Sequence, residues 1–323
     1  MPVRKYFSEF GLNMLASHFW LIQQDSLLHL NNRDDFNEDP PHVYMIVRQP
    51  RILLDPDSFL IDGQVMRASF KVQDKNNFRK GEFRLTLPPD VPELYLECHY
   101  PYTEFSLRDK SGIEFGKYKV ALLLARMNSL YADLCQLISL EVLYVGQSYG
   151  LKGSRTAANR LKDHSTLQNI YFESLKRSPD QEIWLLLISF DQIKLITMDP
   201  KQPTYGTSRE EDYEHIQKVM STDISEQQRI NFAEAALIRY FEPEYNEIFK
   251  KSFPSPSHQT YSECYDLDIN SVIIELQTEN LGYMVKSKKI SPKWVHCEIF
   301  NMHSSQERKS MFELAGLMES DES

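Results

Sequence analysis

With 323 residues, the chain is long enough for a sizeable core and, by length alone, for about two domains. Its 41% hydrophobic and 25% charged residues are an ordinary globular balance, which argues against wholesale disorder. The net charge of −10 counts against a generic nucleic-acid coat protein, but it leaves room for an enzyme with one local basic groove.

The opening MPVRKYFSEF has a weak basic cluster with no apolar core and cleavage site behind it. The runs VALLLA and IWLLLISF are too short to span a bilayer, so a soluble, cytoplasmic protein is expected. Cys98, Cys135, Cys264 and Cys297 are scattered without a CxxC pair, which predicts reduced thiols and neither a zinc ribbon nor disulfides.

In chain order, residues 5–31 read as a helix with Leu12, Leu15, Phe19 and Ile22 on one side, closed by NNRDDFNEDPP. From 42 to 102 the runs HVYMIVRQ, VMRASFKVQ, GEFRLTLP and ELYLECHY partly alternate between turn signals. They predict about four strands in an antiparallel sheet or small barrel. Residues 118–250 read as a mixed unit: VALLLAR and EVLYVGQS as strands, TAANRLKDH as a helix, IWLLLISF as a buried strand, and 225–242 as a helix ended by Pro243. SFPSPSHQ reads as a linker, NSVIIELQT, GYMVKSKK and WVHCEIF as strands, and MESDES as a disordered acidic tail. The expected class is α+β. Its divisions are a helix-then-β accessory region at 1–110, a central unit at 111–251, a β-containing extension at 252–310 and the tail at 311–323.

Two constellations carry chemistry. Between Tyr144 and Arg177 lie six cations, Lys152, Arg155, Arg160, Lys162, Lys176 and Arg177, against Asp163 and Glu173. Charge alone fits a solvated helix face. The i, i+4 spacing of Arg160 and His164 would put both on one helical stripe, bordered by Ala157, Leu161 and Leu167. An arginine there calls for an anion. In INFAEAALIRYFEPEYNE, Glu234 falls inside the apolar stripe of Ile230, Ala233, Leu237, Ile238 and Phe241. A carboxylate so placed binds a metal, pairs with a cation or is protonated.

Together these fragments resemble the GIY-YIG nuclease family over roughly residues 118–250. LYVGQS is similar to the family's second signature strand, with Tyr144 and Gly146 at its tyrosine and glycine. NRLKDH supplies the arginine and histidine four apart, AEAALIRYFEP the glutamate, and PEYN the closing asparagine, Asn246. The family's first strand carries G-x-Y a short hairpin upstream. The candidate here is GKY with Tyr118, 26 positions before Tyr144, with Tyr131 as the alternative and NSLYADLCQLIS as an inserted helix.

The resemblance implies a small antiparallel sheet flanked by helices and a metal-dependent endonuclease acting on DNA (RNA remaining open), of restriction or defence type. Glu234 would hold Mg²⁺ or Mn²⁺ and Arg160 would fork onto the scissile phosphate. Tyr144 would polarise or deprotonate the attacking water, and His164 would contact phosphate or relay a proton. Asn246 would pin the helix end, while Lys152, Arg155 and Lys162 would track the DNA backbone. The flanks would serve target choice, a protein partner or a homo-oligomer. The alternative function is a catalytically inactive nucleic-acid-binding or scaffold protein on the same fold.

Overall fold

A strand buried on both faces loses the alternation that would reveal it, and the first long element is of this kind. In the computed structural model, which describes residues 3–30, 32–89, 91–127, 132–149, 157–162, 164–257 and 262–314, residues 8–22 form a strand and not the expected helix. This strand, β1 (Ser8–Ile22), is buried at nearly every position of its first half. Leu12, Leu15, Phe19 and Ile22 imitate a helical stripe because apolar residues occupy both of its faces.

The short helices α1 (Leu27–Leu30) and α2 (Asp34–Glu38) lead into β2 (Val43–Pro50). Then come β3 (Ile52–Asp62), β4 (Val65–Asp74) and β5 (Asn77–Thr86), followed by β6 (Leu94–Glu97), β7 (Glu104–Asp109) and β8 (Glu114–Lys119). Next are α3 (Val120–Arg126), α4 (Ala132–Cys135), β9 (Leu140–Gln147), α5 (Ala157–Leu161), α6 (Ser165–Arg177) and β10 (Gln181–Met198). The chain continues through α7 (Arg209–Ser221), α8 (Glu226–Phe241), α9 (Ser262–Asp266), β11 (Ser271–Gln277), β12 (Val285–Lys286) and β13 (Val295–Asn301). VALLLAR, expected as a strand, is the helix α3, and GYMVKSKK contributes only the two-residue β12.

The protein is therefore mixed α+β. Among the described residues, one seven-stranded sheet runs β12-β9-β2-β10-β1-β11-β13, and two three-stranded sheets run β3-β4-β5 and β6-β7-β8. The strands expected from 42–102 are divided: β2 lies inside the large sheet while its successors build the small ones. The large sheet also runs across the expected boundaries near 110 and 251, since β1 pairs with β10 and β11, and β2 with β9 and β10. No helix among the described residues is long and apolar enough to cross a membrane.

Alternation along β2 divides the core. Tyr44 and Ile46 join Leu143, Leu185 and Leu187 beneath Ala157, Leu161, Leu167 and Ile170 of α5 and α6. Val43, Met45 and Val47 belong to the larger core that contains Ala233, Leu237 and Phe241 of α8. Helices thus cover both faces of the central strands.

Candidate functional site

Antiparallel pairing of β2 with β9 sets Tyr44 opposite Gly146 and Ile46 opposite Tyr144. The two tyrosine rings then lie 6.2 Å apart between centroids. Gly146 makes the approach possible. A Cβ there would stand 2.6 Å from the Tyr44 ring and hydroxyl and 2.8 Å from the Tyr144 ring, so any other residue would displace one of them.

Arg160 and His164 do not share a helix. α5 ends at Leu161, and His164 is the N-cap of α6, where its Nδ1 accepts a hydrogen bond from the Leu167 amide at 3.1 Å. The short helix that holds Arg160 ends before His164, which stands just ahead of the next, so their four-residue spacing does not place them on one stripe. They meet at the tyrosines all the same. The buried His164 ring packs edge-on against Tyr44 at 5.7 Å and Tyr144 at 5.3 Å. Arg160 is exposed, and its guanidinium lies near enough to the Tyr44 hydroxyl to pull its pKa down against the larger effect of burial.

Glu234 reaches the same place from the opposite core. α8 packs across β9, and the half-buried Glu234 carboxyl lies near the Gln147 backbone amide at the end of that strand. It enters no ion pair among the described residues. Desolvation pushes its pKa up to about 7, against the lowering pull of the Gln147 amide and the Arg160 charge. Burial also raises Tyr144, helped by the negative charge of Glu234, and drives Tyr44 far above the ordinary tyrosine range.

Asn246 has a different task from the one expected. Its side chain pins a strand, not the end of α8: Oδ1 accepts from the Val145 amide and Nδ2 donates to the Val145 carbonyl, both at 2.8 Å. Beside it the Tyr245 amide donates to the Leu143 carbonyl at 3.0 Å. These bonds close the outer edge of β9 at the level of the two tyrosines.

Tyr118 lies elsewhere. It sits on β8 in a small sheet, stacked on Phe105 at 5.4 Å. Tyr44 holds the position beside Tyr144 for which Tyr118 was the sequence candidate. The usable signal was HVY in the strand HVYMIVRQ, hidden by the two small sheets and α3 between β2 and β9. Lys162 is exposed just beyond α5, while Lys152, Arg155 and Tyr131 lie outside the described residues.

Among the described residues no group of three or more His, Cys, Asp or Glu side chains is placed to hold a metal. A lone carboxylate suits a different kind of site. Mg²⁺ keeps several of its waters and is commonly bound through one or two carboxylates. Glu234 is a carboxyl of the kind such an ion takes, and a cation beside it would relieve the cost of ionising it where it is buried. The arrangement thus brings together one carboxyl, one exposed guanidinium and three polar rings. Neither family models, curated proteins nor solved structures compared with this chain match it.

Proposed function

We propose that this protein is a metal-dependent nuclease with a GIY-YIG-like catalytic centre, hydrolysing phosphodiester bonds in DNA. The observation that carries the proposal is the convergence of Tyr44, Tyr144, Arg160, His164 and Glu234 from five separate elements or junctions onto one point. In this reading Tyr44 replaces Tyr118 as the first-strand tyrosine, and His42 stands at the glycine of the G-x-Y pattern.

A divalent cation held by Glu234 would supply Lewis-acid stabilisation of charge on the phosphate. The chain's own groups provide the rest. The Arg160 guanidinium faces solvent beside Tyr44, where its donors can meet phosphate oxygens. Both phenols stay protonated near neutral pH because burial raises them, so in the free protein they orient an attacking water and do not deprotonate it. The N-cap bond at Nδ1 fixes the orientation of the His164 ring beside both tyrosines.

The test is cleavage of plasmid and linear DNA with Mg²⁺ or Mn²⁺. Glu234→Gln, Arg160→Ala and Tyr44→Phe should each lower cutting at least about 100-fold, while Tyr118→Phe should not. Equal cutting by the first three variants would overturn the site. The departure at His42 favours one competing reading, a non-catalytic DNA-binding protein, which predicts salt-sensitive binding with no cleavage by the unmodified chain.

A further inference from the structure

The large sheet treats its two edges differently. At one end β12 is two residues long, and β9 beyond it is closed by Tyr245 and Asn246. At the other end β13 presents seven residues in unbroken register with β11. Sheet edges are commonly blunted by lysine, proline or a bulge. Within VHCEIFN there is neither lysine nor proline, and its pairing with β11 shows no register shift.

Hydrogen-bond parity shows what this edge offers. The Thr278 amide donates to the Trp294 carbonyl, and the Met302 amide to the Asn270 carbonyl. Even-numbered residues of β13 therefore face β11, and Val295, Cys297 and Ile299 turn their backbone N–H and C=O groups outward. The side chains of these three residues are also exposed, Val295 at 46% and Ile299 at 44%, and so form an apolar row along the open edge.

We propose that β13 is the surface on which two copies of this chain pair, antiparallel about Cys297, into one continuous sheet. Self-complementarity selects the second copy as occupant. Centred on Cys297, the pairing sets Val295 against Ile299 of the second copy, Cys297 against Cys297, and Ile299 against Val295. Each of these three pairs exchanges two backbone hydrogen bonds. The same register sets Glu298 against His296. Moving the centre one residue onward would oppose Glu298 to Glu298, a like-charge pair that destabilises a ladder.

Sedimentation of the full chain over a concentration series tests this, with oxidation by diamide as a second readout. The unmodified protein should approach twice 37.9 kDa. Ile299→Lys, on an exposed position, should stay monomeric with an unchanged circular dichroism spectrum, whereas Leu60→Lys on a small sheet should still dimerise. Opposed Cα atoms in such a pair lie about 5.5 Å apart, within disulfide reach. Diamide should therefore yield a covalent dimer that Cys297→Ser abolishes. A monomer at every concentration would overturn the proposal, as would a dimer indifferent to Ile299→Lys. Neither readout depends on DNA cleavage, so this surface and the proposed nuclease centre can fail separately.

Discussion

The Glu234 carboxyl shares its helix face with Ile230, Leu237 and Ile238, and burial lifts its pKa from an ordinary 4.5 to about 7. Because the folded value is the higher one, the favourable contribution of the protonated group is full below pH 4.5 and is lost as pH rises through 7. Ionised above pH 7, the group costs the fold up to about 3 kcal/mol. Glu234→Gln should accordingly be more stable than the unmodified protein at pH 8 by up to that amount, and nearly equal to it at pH 4.5. Urea unfolding without divalent cations measures this, and a difference that does not change with pH would contradict it. In the proposed nuclease, protons and cation would compete for this carboxyl, so calorimetric Mn²⁺ binding should weaken as pH falls below 7. Glu234 could be found from sequence because a charge inside an apolar stripe is a local signal. Tyr44 could not, because its value depends on a strand that arrives much later in the chain.

Asn246 works at the scale of an element. Its amide supplies both the donor and the acceptor that a neighbouring strand would give Val145, in a site that is only 8% exposed. Asn246→Ala leaves a buried N–H and C=O unpaired and should cost about 2–4 kcal/mol in denaturant unfolding. Asn246→Asp keeps the acceptor and should recover only part of that loss; full stability in the alanine variant would remove the edge-closing role. The helix α8 and the break at Pro243 were plain in the sequence, because a 3.6-residue stripe ended by proline has one physical reading. The identities of β1 and α3 were not. Burial on both faces erased the period of β1, and VALLLAR is too short for its apolar run to separate helix from strand. The spacing of Arg160 and His164 was legible, but the helix break between them was not.

Across the molecule, one continuous apolar core joins the large sheet to both small ones, with Val145 and Leu237 in the same cluster as Phe70, Phe83 and Phe105. Continuity of packing predicts cooperative unfolding. Phe83→Ala, which removes a fully buried ring stacked near Phe105, should cost about 3–5 kcal/mol. In calorimetry it should lower the same transition that Asn246→Ala lowers, and two separable transitions would show that the small sheets melt independently. The chain order of this architecture has a topological consequence. Tyr44 and Tyr144 are adjacent in space, yet 100 positions apart in sequence. The chain leaves β2 and returns on β9 at the level where Arg48 clasps Glu141 across the pair at 3.0 Å. The gap between exit and return is one strand spacing, about 5 Å. The chain geometry alone therefore lets a folded unit whose two ends lie that close stand between the tyrosines, and the shared core ties the present one to the large sheet. The β2–β9 pair can thus serve as a socket that holds a whole folded unit where a short turn would have sufficed.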